Sequence, residues 1–520
     1  MAPLIWLVGT VLALQVPPPP SASPPSKALR AEYRAILGRE RAGLEALAGR
    51  LKGQGQGDAA AEVLAQADPP PLPDGSSRFV PLPAVVPAMA GGAASLPVVA
   101  RAAPTWRSEL RTIRTSTAKA LFDLANRAAS GVTKQYTLAD ECLRAVLGRQ
   151  PDHAEARRLL GYVPHEGGWA TPYAVRQLGM GKVLHPTFGW VWSSWVPHLD
   201  QGELPAPSAS GEKVPWLPAD QADALRSTWA RGWRISTEHF EIQTNVPLSE
   251  VIVFGRHLEG FHDLFYALLA DVIGDSSYLA RRFQGKSPGE ERPAPPHLVY
   301  YFATRDDYLD QVLKRHGPSY AETLGAYIPP RPGKAKRAPA YFFRDVEGQL
   351  AATATLYHEA SHQLLFESGA PNAYQKNVGN YWVFEGMGTY FETVTEAPDG
   401  SLRFGGPVGP RIQEARKRLV DEGDIVPLAQ LVRLDMKGMY RDEVKYLQYA
   451  EAMALTVFLM NAHGGEYRDA FLEYFKDACR GRLRLNTGRS LESRLGASFE
   501  TLEAQFLGYL RTMDPRPRPR

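Results

Sequence analysis

The sequence of 520 residues contains 59 Lys and Arg against 56 Asp and Glu, which gives a formal net charge of +3. A chain of this length folds as two or more packed units rather than one. The near-balanced charge argues against an electrostatic nucleic-acid binder, which needs a concentrated basic face. The two cysteines, Cys142 and Cys479, are too few for a disulfide scaffold or a thiolate zinc cluster.

Residues 1–25 have features of a signal peptide or an N-terminal anchor. The apolar run from Leu4 to Leu14 has the length of a signal-peptide core and is too short to cross a bilayer comfortably. No Lys or Arg precedes this run, and residues 21–23 are the nearest candidate for a cleavage site. We expect export to the periplasm, cell envelope or extracellular space, with an uncleaved anchor or a misassigned start as the alternatives. We expect no transmembrane body, because no other segment has the length and composition of a membrane span.

Composition divides the next part of the chain into three segments. Residues 26–68 are rich in Ala, Leu, Arg and Glu and are predicted to be helical. Pro, Gly, Ala and Ser dominate residues 69–104, which we expect to be an extended or disordered linker. Residues 105–165 have helical periodicity and resemble one tetratricopeptide (TPR) helix pair. A single repeat cannot bury its own faces, so this pair should pack on a neighbour, either as a connector or as a surface for a protein partner.

A Trp-rich segment follows at residues 166–235 and holds seven of the ten tryptophans. Its many Gly and Pro residues, together with the strand-like run 191–196, predict a small β-rich platform. Such a segment could bind carbohydrate. We favour core and inter-domain packing, because large aromatic side chains dominate the energetics of cores and interfaces.

Residues 236–515 are predicted to form an α+β domain, because a few strands are followed by a long run of helices. Alternating or continuous apolar runs predict strands at residues 239–245, 297–302 and 340–343. Helices are predicted at residues 251–269 and 305–313, and nearly everything after the last strand is predicted to be helical.

The pentapeptide His358-Glu359-Ala360-Ser361-His362 lies in a segment of strong helical character. Its i, i+4 spacing places both imidazoles on one helix face, where they can converge on one zinc ion. Glu359 follows the first histidine directly, so its carboxylate can reach a water on the metal without being a ligand. The pentapeptide therefore predicts a zinc-dependent hydrolase.

A second helix, from Trp382 to Glu392, carries Glu385 with Gly386 and Gly388. Each interior glycine costs on the order of 1 kcal/mol of helix propensity relative to alanine. We therefore expect this helix to approach a neighbour closely, and the helix of His358 is the obvious candidate. Glu385 would then complete a His, His, Glu set with a fourth position for water, which is the open coordination of a catalytic zinc.

HEASH followed by WVFEGMGTYFE resembles the gluzincin metallopeptidases, and more narrowly a poorly characterised bacterial family with a peptidase-MA-like domain. The resemblance covers roughly residues 236–513 and implies a zincin-like fold, with a small mixed sheet, an active-site helix and a helical subdomain. It also implies that His358, His362 and Glu385 bind Zn²⁺ and that Glu359 is the general base in peptide hydrolysis. It implies no particular substrate.

Two details of the implied site differ from the family pattern or stay open. Thr389 occupies the position, one turn after the ligand Glu, where many gluzincins have an acidic residue that orients a ligand histidine. Glu392, two turns on, could substitute, although we expect a solvated carboxylate at that helix end. Related enzymes often supply an oxyanion donor from a downstream helix, which makes Tyr449 our candidate, with Tyr446 and Tyr440 as rivals.

The strand of Tyr341, Phe342 and Phe343 precedes the active-site helix, as the substrate-binding edge strand does in this class. An extended peptide could pair with it, and an interior strand with aromatic packing is the alternative. The basic loop 331–337 before this strand could favour acidic substrates.

Three functions are compatible with the sequence. The first is an exported zinc peptidase that cleaves a peptide or protein. The second is a non-catalytic binding or assembly protein with the zincin fold, against which the intact Glu359 argues. The third is a zinc hydrolase of a non-protein amide, such as a cell-wall linkage.

Overall fold

The structure is a computed structural model that describes residues 25–69, 72, 74–88, 105–132, 134–207, 214–330, 337–344, 352–369, 379–407, 410–441, 443–483 and 490–513. The apolar run predicted as a signal peptide or anchor lies outside these ranges, as does all of the basic loop except Arg337. Within these ranges, no helix has both the length and the apolar composition needed to cross a membrane.

The N-terminal part is helical, and the TPR-like pair packs on its neighbours as predicted. The Asp271 carboxylate accepts the backbone N–H groups of Tyr136 and Thr137, so the TPR-like pair is fixed to the C-terminal half of the chain. Cys142 and Cys479 lie in separate hydrophobic cores, and neither forms a disulfide. The helices are α1 (Pro25–Gly53), α2 (Gly57–Leu64), α3 (Thr105–Ser130), α4 (Tyr136–Arg149) and α5 (Ala154–Leu159).

Two short strands lie inside the segment predicted as a linker. Strand β1 (Ser77–Phe79) pairs antiparallel with residues 402–404 of the C-terminal half. Strand β2 (Val85–Val86) pairs antiparallel with residues 169–170 of the Trp-rich segment. The linker prediction is wrong for these residues, because both pairings involve partners far along the chain that local composition does not reveal.

The Trp-rich segment forms small two- and three-stranded sheets whose apolar side chains join the core of the C-terminal half. Trp233 is only 6% exposed, whereas Trp192 is 41% exposed, so packing accounts for some of these tryptophans and not for all. The predicted strand 191–196 ends at Trp192 and is followed by helical turns. The elements are β3 (Val163–His165), β4 (Gly168–Ala170), α6 (Pro172–Gly179), β5 (Lys182–His185), β6 (Gly189–Trp192), α7 (Val196–Asp200), β7 (Glu203–Pro205), β8 (Trp216–Pro218) and α8 (Ala219–Leu225).

A five-stranded mixed sheet forms the centre of the molecule, which confirms the α+β class. Its elements are β9 (Trp233–Ser236), β10 (Phe240–Thr244), α9 (Leu248–Leu268), α10 (Ala270–Ile273), α11 (Tyr278–Phe283), β11 (His297–Phe302), α12 (Arg305–His316), β12 (Ala326–Tyr327) and β13 (Ala340–Phe343). The strand order is β12-β13-β11-β10-β9. Strands β10, β11 and β13 are parallel, and β9 and β12 run antiparallel at the two edges.

The rest of the chain is mainly helical, as predicted, with one hairpin that also pairs with β1. Helix α18 breaks at residues 462–464, where the backbone dihedral angles are not helical. The elements are α13 (Ala352–Glu367), α14 (Trp382–Phe391), β14 (Thr395–Glu396), β15 (Leu402–Phe404), α15 (Pro410–Arg416), a π-helical turn (Lys417–Glu422), α16 (Leu428–Leu431), α17 (Met436–Met439), α18 (Lys445–Gly465), α19 (Arg468–Cys479), α20 (Leu491–Leu495) and α21 (Phe499–Thr512).

Helix α13 lies on one face of the central sheet, beside α9 and α14, while α12 covers the other face. Tyr357 of α13 packs against Phe261 of α9, with ring centroids 4.9 Å apart. The Gln363 side chain donates hydrogen bonds to the carbonyls of Leu298 and Ala338, at 2.9 and 3.0 Å. These contacts fix the height and rotation of α13 on the sheet.

Glu451 of α18 is a buried carboxyl group that makes the stability of the fold depend on pH. Burial raises its pKa from 4.5 to about 8, although the side chain accepts the Val426 N–H. The folded state therefore binds more protons than the unfolded state between these two pH values, and stability falls as pH rises through that interval. We expect Glu451→Gln to match the wild type near pH 5 and to be more stable by about 4 kcal/mol at pH 9.

Denaturant unfolding of both proteins at pH 5 and pH 9 tests this expectation. Equal stability of the two proteins at pH 9 would show that Glu451 ionises in the fold without cost.

Candidate metal centre

Three side chains predicted as metal ligands converge in the structure. The Nε2 atoms of His358 and His362 are 3.1 Å apart, and each lies 3.6 Å from Oε2 of Glu385. A tetrahedral zinc ion with ligands at 2.0–2.1 Å would hold its donor atoms about 3.4 Å apart. The three atoms therefore have the spacing and the chemistry to bind one metal ion. Among the described residues, no fourth His, Cys, Asp or Glu joins the group.

The two glycines of α14 allow the close approach that was predicted for this helix. A Cβ atom at Gly388 would lie 3.0 Å from Cε1 of His358 and 3.2 Å from Nε2 of His362. A Cβ atom at Gly386 would lie 2.5 Å from Oγ1 of Thr456 on α18. Gly388 therefore faces the histidine helix, whereas Gly386 allows α14 to pack on α18.

Glu359 lies beside the histidines and is held by the edge strand β12. One of its carboxylate oxygens, Oε2, accepts the backbone N–H of Tyr327 at 2.7 Å. The turn before this strand approaches α13 closely, because a Cβ atom at Gly325 would lie 2.5 Å from Cγ2 of Thr355 and 3.3 Å from Cγ of Glu359. The carboxylate predicted as the general base is thus oriented by main-chain contacts.

Glu392 orients the first histidine, so the expectation of a solvated carboxylate is wrong. Its side chain is 9% exposed, and Oε1 accepts a hydrogen bond from Nδ1 of His358 at 2.9 Å. Its other oxygen, Oε2, accepts a hydrogen bond from Nε of Arg411 at 2.8 Å. The hydrogen bond at Nδ1 leaves Nε2 of His358 facing the cluster as the ring atom that can bind a metal ion. Thr389, at the position that is acidic in many gluzincins, instead donates to the carbonyl of Glu385.

The charges of the cluster favour a cation between the three donors. Burial would lower the pKa of His358, but the nearby Glu385 carboxylate and the hydrogen bond to Glu392 raise that pKa to about 10. Burial would raise the pKa of Glu385, but its contacts with both histidines hold it well below the usual range. Two imidazole nitrogens only 3.1 Å apart repel each other unless a proton or a metal ion lies at their lone pairs.

Tyrosines 440, 446 and 449, the three candidates for an oxyanion donor, lie in different surroundings. Tyr446 is 65% exposed. The Tyr440 hydroxyl donates to Oε1 of Glu385 at 2.7 Å. The ring of Tyr449 lies 6.0 Å from that of Tyr440, and desolvation together with the charge of Glu385 raises its pKa well above the usual value. The structure thus brings Tyr440 and Tyr449 to the cluster.

Strand β13 is an interior strand of the sheet, so Tyr341, Phe342 and Phe343 do not form the substrate-binding edge strand that was predicted. It pairs with β11 on one side and with β12 on the other. The Tyr341 ring packs under α12, where its hydroxyl contacts His316 at 3.2 Å, and Phe342 joins the core. Strand β12 was not predicted, because a strand of two residues is too short to show an alternating pattern of apolar and polar side chains.

Other histidines and a large cavity lie away from this cluster. A cavity of about 1720 Å³ extends between the Trp-rich segment and α9, and none of the three candidate ligands lines it. His262 stacks there on His239 with ring centroids 3.6 Å apart. The candidate metal centre therefore does not coincide with this cavity.

Replacing Glu392 with glutamine should weaken metal binding about 10–100-fold, the usual effect of removing a group that orients a ligand histidine. The amide keeps the shape but loses the charge that His358 and Arg411 both contact. Competition with a chromophoric chelator measures the affinity. Glu414→Gln is the matched control, because this carboxylate on α15 is 44% exposed and pairs with Arg418. Equal loss of affinity in both variants would contradict a specific role for Glu392.

Comparison with known proteins adds one finding. Residues 352–482 match the family described as "Protein of unknown function (DUF1570)". The matched segment runs from α13 into the residues after α19 and includes the three candidate ligands together with Glu359, Glu392, Tyr440 and Tyr449. No curated protein matches the chain.

Proposed function

We propose that this protein is a zinc-dependent metallopeptidase of the gluzincin type, with a zincin-like catalytic domain. The observation that carries the proposal is the convergence of two Nε2 atoms and one Oε2 atom within 3.6 Å, next to a carboxylate that belongs to none of these ligands. Three protein ligands with an open fourth position are typical of catalytic zinc, whereas structural zinc sites have four.

Zinc fits this donor set better than magnesium or calcium does. Two imidazoles and one carboxylate are characteristic of zinc hydrolases, while magnesium and calcium prefer sites built from oxygen ligands alone. The hydrogen bond from His358 to Glu392 also resembles the carboxylate–histidine arrangement that supports zinc ligands in general.

The proposed mechanism assigns each step to a side chain. Zinc at this position would polarise the peptide carbonyl and lower the pKa of a water molecule. Glu359 takes the proton from that water. Its Oε2 already accepts a hydrogen bond from the Tyr327 N–H, so Oε1 is the oxygen that takes up the proton. The protonated Glu359 then gives the proton to the leaving amine. Tyr449 donates a hydrogen bond to the oxyanion of the substrate.

We place the substrate along β12 rather than along β13. Strand β12 is the edge of the sheet, and the Tyr327 N–H that meets Glu359 belongs to it. An extended peptide that added to this edge would run past the base. The expected substrate is a peptide or protein segment in an extended conformation. We also propose that the enzyme is exported, which the apolar run 4–14 supports.

A peptide library tests the proposed function. We expect the full-length protein to cleave a subset of peptides, to lose this activity with a zinc chelator, and to regain it when zinc is restored. Absence of cleavage by zinc-loaded protein would contradict a peptidase. Hydrolysis of a cell-wall amide by the same preparation would instead identify a zinc amidase.

A further inference from the structure

We infer that Tyr440 is a positioning residue that holds Glu385 in the orientation needed to bind the metal. The inference rests on the metal site of the proposed function. Its main observation is the 2.7 Å hydrogen bond from the Tyr440 hydroxyl to Oε1 of Glu385, while Oε2 of the same carboxylate lies 3.6 Å from both histidine Nε2 atoms. The two oxygens of one carboxylate therefore have separate partners.

This division fixes how Glu385 can coordinate. A carboxylate rotates readily about its last bond and can present one or both oxygens to a cation. A donor on Oε1 stops this rotation and leaves Oε2 as the single ligand atom. Hydrogen bonds of this kind orient metal-binding carboxylates in general, and charge-assisted bonds are stronger than neutral ones. Glu385 is 2% exposed, so water has little access to replace the tyrosine as donor.

Tyr440 is itself held in place by the segment 432–440, which is fastened to the start of α14. The N–H of Asn380 donates to the Val432 carbonyl at 2.9 Å, and the N–H of Tyr381 donates to the Leu434 carbonyl at 3.0 Å. The Asp435 side chain caps α17 by accepting the Gly438 N–H at 2.7 Å. The helix that carries Glu385 and the segment that carries Tyr440 are thus joined directly.

The role of Tyr440 separates it from Tyr449. The Tyr440 hydroxyl gives its proton to the hydrogen bond with Glu385, so it is not available to an oxyanion unless this bond breaks. Tyr449 lies next to it, with the Arg411 guanidinium 5.9 Å above its ring. The two tyrosines should therefore affect different quantities, Tyr440 the metal affinity and Tyr449 the turnover.

Zinc affinity of the full-length protein tests this inference, measured by competition with a chromophoric chelator. We expect Tyr440→Phe to bind zinc about 10–100-fold more weakly. Tyr446→Phe is the matched control and should bind zinc as the wild type does, because that ring is 65% exposed. Tyr449→Phe should lower kcat by a larger factor than it lowers zinc affinity. Tyr440→Phe removes a donor from a buried carboxylate, so its zinc-free form should unfold at a somewhat lower temperature, and zinc affinities are compared at a temperature where both proteins are folded.

The outcomes separate this inference from the proposed function. Wild-type zinc affinity in Tyr440→Phe overturns the inference, and so does an affinity loss that is accompanied by an equal loss in Tyr446→Phe. Weaker zinc binding by Tyr440→Phe alone supports it even when the wild type cleaves no peptide, which would contradict only the peptidase proposal. A wild type that binds no zinc overturns both.

Discussion

Replacing Glu359 with glutamine is expected to lower kcat for peptide hydrolysis by about 10²–10⁴-fold, the usual contribution of a general base. The glutamine has nearly the same shape, and its amide oxygen can still accept the Tyr327 N–H, so the local structure should persist. An amide cannot take up a proton at neutral pH, and the transfer from water to the leaving amine is therefore lost. Zinc content should stay at the wild-type level because Glu359 is not a ligand.

Steady-state kinetics on a peptide cleaved by the wild type, with metal analysis of the same preparations, measures this effect. Glu443→Gln makes the same chemical change at a carboxylate that is 76% exposed, and it should leave kcat unchanged. Full activity of Glu359→Gln would assign the proton transfer to another group. Loss of zinc in this variant would show that Glu359 contributes to metal binding.

Replacing Glu385 with glutamine is expected to abolish tight zinc binding. The amide is neutral and lacks the charge that would compensate a zinc ion bound by His358 and His362. Saturating zinc stabilises a protein by about 2.7 kcal/mol when its concentration is 100 times Kd, so the wild type should unfold at a higher temperature with zinc present. The variant should show no such shift.

Thermal unfolding with and without zinc measures this effect, and metal analysis after gel filtration gives the stoichiometry. Glu414→Gln again serves as control and should keep the wild-type shift, because its carboxylate lies on the surface of α15. A full zinc-dependent shift in Glu385→Gln would show that the metal binds elsewhere.

The sequence predicted the parts of the site that depend on local geometry. The i, i+4 spacing of His358 and His362 determines that both imidazoles share a helix face, whatever the rest of the chain does. The free-energy cost of placing Gly388 inside a helix correctly indicated that α14 lies in close contact with the histidine helix. The partner of Oε1 of Glu385 was not predictable, because Tyr440 is 55 residues away and reaches the site only through the packing of the segment 432–440 on α14.

The same limit explains the errors in the fold. Strand β1 forms only because residues 402–404 are available as a partner, so its own composition resembled a linker. The resemblance to the metallopeptidases suggested β13 as the edge strand, and the sequence could not correct this because β12, with two residues, has no detectable pattern. Glu392 was expected in solvent because nothing in its sequence neighbourhood indicates Arg411, which helps to bury it.

The zinc content of the purified full-length protein is the most direct test of the proposed metal centre. After incubation with zinc and removal of the excess, the wild type should contain about one zinc per chain, as expected for a single site of three protein ligands. His362→Ala, prepared in the same way, should contain almost none. Absence of zinc from the wild type, or an equal content in both proteins, would contradict a zinc site formed by His358, His362 and Glu385.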